Sequence, residues 1–229
     1  MKIQIILSLI ILAFCFLIFR KGFIDFFGAC FSAALLIAVT FLGKGRYADS
    51  VSTLLVYIVI FSMSLIKKNK RKEIYFKIQG ELIQRTYKNV IGKLLLPVTV
   101  AIFFRPAELV ALLGYSVADS AGSQIGVFSR TSPRLLTTLK KRASGTNGAI
   151  SFLGTSLGIA LGIIVGFVHA ILSNYGIMSG PIWACYGALV GSTIDSFLGA
   201  TIESSIGFSD WSINLLSGLI VFLSSSVLF

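Results

Sequence analysis

Apolar runs of membrane-spanning length recur along the chain, separated by short polar stretches. They predict eight helices at approximately 3–19, 23–43, 50–66, 92–104, 107–128, 149–171, 181–203 and 212–228. A helix needs about 20 mainly apolar residues to cross the hydrocarbon core of a bilayer. The fourth run is the weakest, being short and carrying Pro97, and reads as a re-entrant or tilted segment. The first run, Ile3 to Phe19, reads as a retained helix. Only Lys2 precedes it, and Arg20-Lys21 follows where a secretory signal would have a small-residue cleavage site.

Composition agrees with this pattern. The chain is 55% hydrophobic and 13% charged, with mean hydropathy +0.90, whereas soluble domains carry about a quarter charged residues. The expected fold is an all-α, polytopic transmembrane helical bundle, one integral-membrane domain over residues 1–229. No soluble catalytic domain fits beside it, so any chemistry falls to helix ends and short loops. Cys15, Cys30 and Cys185 lie far apart in apolar runs, which supports neither a zinc site nor a disulfide framework.

The net charge of +11 is concentrated in two loops, at about 67–91 and 129–148. The first, with Lys93 just beyond it, holds Lys67, Lys68, Lys70, Arg71, Lys72, Lys77, Arg85 and Lys88 against Glu73 and Glu81. The second holds Arg130, Arg134, Lys140, Lys141 and Arg142. Basic loops stay on the cytoplasmic side. With eight spans, both loops and Arg20-Lys21 fall inside, the uncharged 172–180 loop falls outside, and both termini lie outside. Lys44 and Arg46 are the exceptions, weakly offset by Asp49. The same cations suit anionic lipid headgroups or phosphates; nucleic acid is not an expected partner.

Two aspartates interrupt the apolar runs, each followed by serine: Asp119-Ser120 and Asp195-Ser196. A carboxylate at membrane depth costs about 2.5–3.5 kcal/mol on insertion scales, so each needs a partner or a function. Helical spacing puts Glu108, Leu112, Tyr115, Asp119 and Ser123 on one stripe, and Ser192, Asp195, Gly199 and Glu203 on another. The topology gives the two carboxylates similar depth. Val117-Ala118-Asp119-Ser120 resembles Thr193-Ile194-Asp195-Ser196, which hints at an internal duplication. Paired carboxylates with hydroxyls suit Mg²⁺, which commonly binds through one or two carboxylates plus substrate phosphates. The plainer reading is that each aspartate accepts a hydrogen bond from Ser or Thr on an adjacent helix. Gly145-Thr146-Asn147-Gly148, just before a predicted helix start, offers backbone N–H groups to an anion, although no Walker A motif is present.

Gly154, Gly158, Gly162 and Gly166 recur every fourth residue, lining one helix face for close backbone approach. His169, near the outer end of that helix, reads as an interfacial or hydrogen-bonded residue.

The run Ala118-Asp119-Ser120-x-x-Ser123-Gln124-Ile125-Gly126 resembles a signature of the integral-membrane family once filed as domain of unknown function ninety-two, a family that includes a plant phytyl-phosphate kinase. The likeness continues through Pro133-Arg134-Leu135-x-Thr137-Thr138, Gly145-Thr146-Asn147-Gly148-x-x-Ser151 and Gly191-Ser192-x-x-Asp195-Ser196-x-x-Gly199-Ala200-Thr201. Gln124 stands where the family pattern has Glu, removing one candidate metal ligand.

The resemblance implies phosphoryl transfer from a nucleoside triphosphate, CTP being the expected donor, to a prenyl monophosphate. Asp119, Asp195, Ser120 and Ser123 are then the expected catalytic residues, with Mg²⁺ held by Asp119, Asp195 and Glu203. Arg130, Arg134, Lys140, Lys141 and the 145–148 turn would bind phosphate. Membrane lipids are expected partners, and self-association is left open. Two alternatives stand beside this: a transporter of ions or small anions, and a CTP-dependent lipid cytidylyltransferase.

Overall fold

The most enclosed of the long helices carries a row of polar residues. In the computed structural model, which describes residues 2–45, 47–70, 86–174, 176–203 and 208–228, 15 of the 20 residues of Pro106–Ile125 are buried. Its neighbours shield it from lipid, which is why it tolerates Glu108, Tyr115, Ser116, Asp119, Ser120 and Gln124. Numbered in chain order, the helices are α1 (Lys2–Arg20), α2 (Phe26–Leu42), α3 (Tyr47–Lys70), α4, α5 (Pro106–Ile125), α6 (Phe152–Ser173), α7 (Ser179–Leu198) and α8 (Asp210–Val227). α4 joins an α turn, Tyr87–Val90, a π segment, Ile91–Leu95, and an α segment, Leu96–Phe103. α7 runs on into a π segment, Gly199–Glu203.

Among the described residues eight helical bodies therefore stand where eight spans are expected, and the fold is an all-α membrane bundle. α1, α6 and α8 are each long and apolar enough alone to cross a membrane, and Phe26–Leu42 and Tyr47–Met63 are shorter apolar helices. α1 buries only Ile11, Cys15 and Ile18 and presents Ile3, Ile6, Leu9 and Phe16 outward, as a lipid-facing helix should.

Local chemistry sets several ends. Asp25 caps α2, accepting from Gly28 N at 2.7 Å. Pro106 opens α5 at a position where a missing N–H costs nothing. Ser151 caps α6 by accepting from Gly154 N at 3.2 Å, and Asn174 closes it in the left-handed region at φ 55°.

The glycine face of α6 is used for packing. A Cβ on Gly154 would lie 2.9 Å from Gly126 Cα, one on Gly158 2.8 Å from Ala118 O, and one on Gly166 2.5 Å from Gly180 O. α7 meets α5 as closely, since a Cβ on Gly187 would lie 1.8 Å from Ala111 O. α5, α6 and α7 thus form a tightly packed trio. Numbers rise along α6 as they fall along α5, so the two are antiparallel.

Two apolar cores result. One, with Leu109, Leu112, Leu113, Val165 and Val221, surrounds α5. The other, with Ile11, Leu36, Tyr57, Phe61 and Leu94, joins α1 to α4. Between α5 and α6 a small antiparallel hairpin pairs β1 (Arg134–Leu135) with β2 (Ala149–Ile150).

Candidate functional site

Pro97 helps to position the site. It has no N–H to offer the carbonyl four residues back, that of Lys93. Ser116 Oγ of α5 donates to Lys93 O at 3.4 Å, the kind of side-chain contact that satisfies freed backbone in membrane helices. The π segment around Lys93 lies beside α5. Lys93 Nζ there forms an ion pair with Asp119 Oδ2 and donates to Ser120 Oγ at 2.9 Å. Lys93 and Asp119 keep about a seventh of their side-chain surface exposed, 14% and 15%.

Asp195 is reached from the same helix by another residue. The Tyr115 hydroxyl lies 2.9 Å from Asp195 Oδ1, 3.2 Å from Asn214 O and 3.3 Å from Asn214 Oδ1. With one proton it donates to one acceptor at a time, and the carboxylate is the nearest. Gly191 makes room for the ring: a Cβ there would sit 2.3 Å from Tyr115 Cδ2. Asn214 is held in turn, its Nδ2 donating to Asp210 O at 2.8 Å. Asp195 has Asp119, Lys93 and Asp210 within electrostatic range. Three acids around one lysine leave an excess of negative charge.

Structure brings Asp119, Ser120 and Asp195 together and adds Lys93, Tyr115 and Asn214, which the sequence reading left out of the site. Lys93 counts there as the last cation of a loop, although it opens the apolar run Leu94-Leu95-Leu96. That placement among apolar residues is the signal that identifies it. Ser123 lies a turn further on and bonds back to Ser120 O at 3.2 Å. The side chain of Glu203 lies outside the described residues, as does much of the first basic loop, 71–85. The two Asp-Ser segments differ in their contacts: Asp119 pairs with a lysine, Asp195 with a tyrosine.

Mg²⁺ can be tested against this donor set. Among the described residues no three His, Cys, Asp or Glu side chains are grouped to hold a metal. Asp119 and Asp195 lie within electrostatic range of each other, and Asp119 Oδ1 and Asp195 Oδ2 accept no hydrogen bond from the described residues. A pair of hard oxygens in a locally negative site fits a cation completed by substrate phosphates.

The second basic loop lies over the same end of the bundle. Gly148, at φ 70°, packs on the turn after Asp195, where a Cβ would meet Ser196 O at 2.5 Å and Ala200 N at 2.3 Å. The helix does not begin directly after this turn. β2 and Ser151 intervene, and the Ser151 hydroxyl takes one of the first helical N–H groups. Thr146 Oγ1 donates to Ala143 O at 2.8 Å, while Gly145 and Asn147 are exposed. Arg130, Arg134, Lys140 and Lys141 are all exposed, and Arg134 Nη1 donates to Leu139 O at 3.0 Å, bracing its own hairpin.

A second buried polar pair occupies the opposite end. Asp49 is not a loop charge offsetting Lys44 and Arg46: it sits in the first turn of α3, 2% exposed. Its Oδ1 lies 3.1 Å from His169 Nε2, and its Oδ2 accepts from Gly45 N at 2.7 Å. Ser50, Ser52 and Thr53 are buried on the same helix.

Comparison with known proteins gives consistent relatives. The family described as "Integral membrane protein DUF92" matches residues 9–216. An uncharacterized membrane protein of Methanocaldococcus jannaschii is 29% identical over 142 residues, 59% of each chain. Protein PGR of Arabidopsis thaliana is 37% identical over 98 residues, 38% of this chain and 34% of its own length. An uncharacterized membrane protein of Synechocystis is 29% identical over 158 residues, 63% of this chain and 58% of the relative. The matches thus span from about a third to three fifths of these relatives' lengths. No solved structure matches.

Proposed function

The chain belongs to the integral membrane protein family DUF92, and from that premise we propose that it is a membrane-embedded phosphotransferase. It transfers the terminal phosphoryl group of a nucleoside triphosphate, CTP by expectation, to a prenyl monophosphate. An oxygen of the monophosphate forms the new P–O bond, the bond between the donor's β and γ phosphates breaks, and the nucleoside diphosphate leaves. Such transfer relies on positioning and electrostatic stabilisation, so a cluster of fixed charges suffices without a covalent nucleophile.

The observation that carries this reading is the junction of Lys93, Asp119, Tyr115 and Asp195 at one end of the enclosed helix α5, beneath a hairpin bearing exposed cations. Mg²⁺ would be held by Asp119 and Asp195 and would supply charge neutralisation across the phosphates. Lys93, beside Asp119 and Ser120, is in place to pair with a phosphate oxygen. Arg130, Lys140 and Lys141 add positive charge at the mouth. The positive-inside rule puts this end in the cytoplasm, where nucleotides are available. Incubating purified protein with prenyl phosphates, a panel of nucleotides and Mg²⁺, then weighing the products, tests the reading. A nucleotidylated lipid with released pyrophosphate would instead indicate a cytidylyltransferase.

A transporter is the second reading, and the Asp49–His169 pair favours it. That pair places buried polar groups at the other end of the bundle too, as a path with access to both faces requires. Flux of phosphate or protons into liposomes containing the protein, without any nucleotide, would support this reading against the first.

A further inference from the structure

Cys15 and Cys30 lie apart in the sequence but meet in the fold. α1 and α2 run antiparallel, and a contact at each end fixes their register. Gln4 Nε2 donates to Thr40 O at 3.0 Å, and the Phe19 and Phe26 rings meet edge to face with centroids 5.8 Å apart. Between these ends Gln4, Ser8, Ile11, Cys15 and Phe19 recur at three- and four-residue steps along α1, on one face. Thr40, Ile37, Ala33, Cys30 and Phe26 do the same along α2. The two series run level with each other, so Cys15 stands opposite Cys30. Two further observations agree. Ala29 and Ala33, on either side of Cys30, share one apolar core with Cys15, and Cys30 is near enough to Cys15 to act on it electrostatically.

The two thiols differ in access. Cys15 is buried, 3% exposed, whereas Cys30 is exposed. Each lies five residues from a charged residue at its end of the helix pair, Arg20 or Asp25, about 7.5 Å along the axis. At that depth the outward side of α2 faces acyl chains. Water-borne reductants and oxidants are excluded there, while a reagent dissolved in the lipid reaches Cys30 before Cys15. An accessible thiol backed by a sheltered one is the arrangement that turns a first oxidation into a disulfide.

We propose that Cys15 and Cys30 form a peroxide-sensitive dithiol, in which a lipid hydroperoxide oxidises Cys30 and Cys15 then closes a disulfide between α1 and α2. In the first step the Cys30 sulfur takes the terminal oxygen of the hydroperoxide, the O–O bond breaks, and the lipid alcohol leaves with the thiol proton. In the second the Cys15 sulfur attacks the sulfenic acid so formed, the S–S bond forms, and the hydroxyl leaves as water with the Cys15 proton. One hydroperoxide is thereby reduced to an alcohol and water, and two thiols give up two electrons. The consequence is mechanical. α1 buries only Ile11, Cys15 and Ile18, so a covalent tie restrains the helix that packing holds least. Val90 and Leu94, near Lys93 on α4, belong to the same core, so the tie also stiffens the support of that segment. The proposal does not depend on the phosphotransferase reading.

The test uses the full chain in phosphatidylcholine liposomes, exposed to a fatty-acid hydroperoxide or, in parallel, to hydrogen peroxide at the same concentration. Remaining thiols are alkylated and peptides are mapped by mass spectrometry without reduction. The peptide containing Cys15 should be joined to the one containing Cys30, several-fold faster with the lipid hydroperoxide, with Cys185 outside the cross-link. Thermal unfolding of the oxidised protein should shift upward and return after reduction. Cys15→Ser should leave an oxidised Cys30 that dimedone traps, with no upward shift, and Cys30→Ser should leave Cys15 reduced. Because the cross-link is read on the wild-type chain, a variant that fails to insert leaves the test intact. Both thiols still free after exposure, cross-links through Cys185 or between two copies of the chain, or equal rates with the two peroxides would each overturn the proposal.

Discussion

Lys93 of α4 and Asp119 of α5 form an ion pair in the interior of the bundle, and Ser120 shares the same ammonium at 2.9 Å. Each residue answers the other's cost, since a lone charge at this depth is expensive. The pair is also one turn along the same stripe from the Tyr115–Asp195 hydrogen bond, so a single helix, α5, organises both carboxylates.

Lys93→Met should therefore leave Asp119 without its counter-charge. Hydrogen bonds to charged groups contribute about 1.5–3 kcal/mol, so thermal unfolding in detergent should show a loss of that order. Combining it with Asp119→Asn should cost less than the two single changes added together. A double-mutant cycle with no coupling would show that the pair is not held as described.

Asp119→Asn and Asp195→Asn should each abolish phosphoryl transfer, while both variants still insert and purify. Titrating Mg²⁺ against each variant checks the metal assignment: near wild-type turnover at saturating Mg²⁺ in both would remove the carboxylate pair from the site.

Gly191→Ala places a methyl group where the Tyr115 ring lies, 2.3 Å from Cδ2. Overpacking of this kind costs about 1–3 kcal/mol, and displacing the ring breaks its contact with Asp195. Activity should fall further than in Tyr115→Phe, which keeps the ring and loses one hydrogen bond, about 1 kcal/mol or fivefold. Steady-state kinetics of the two variants gives the comparison.

Much of this was legible in one dimension. Eight helices, the role of the α6 glycines and the two aspartates follow from hydropathy, spacing and the cost of intramembrane charge. What escaped depends on how helices pack. Lys93 reads as a loop cation because it borders a basic stretch, and only the contact between α4 and α5 turns it inward. Asp49 reads as a loop acid and His169 as an interfacial or hydrogen-bonded residue whose partner the sequence does not name, yet each is the other's partner across 120 positions. Asn214 gives no signal in a serine-rich helix end until Tyr115 is placed against it. Pairings of this kind are set by interhelical register, which periodicity within one helix does not encode.

The Asp49–His169 pair separates the two functional readings. His169→Ala leaves Asp49 buried and still bonded to Gly45 N, so stability should fall by about 1–3 kcal/mol. Below its unfolding temperature, however, this variant should retain phosphoryl transfer, because the pair lies at the far end of the bundle. A transporter would instead lose flux. Parallel assays of transfer and liposome flux decide between them.

Lys140→Ala removes an exposed cation near the mouth of the site. If Lys140 contacts phosphate directly, kcat/KM should fall about tenfold or more. A value within twofold of wild type would leave the hairpin cations a topological role only.

The most direct measurement follows the phosphoryl group itself. Purified protein is supplied with a prenyl monophosphate, Mg²⁺ and CTP labelled at the γ-phosphate. The account predicts label in a prenyl diphosphate, with CDP released in equal amount. Label recovered only as pyrophosphate or inorganic phosphate, with no diphosphorylated lipid from CTP or from any other nucleotide tried, would contradict it.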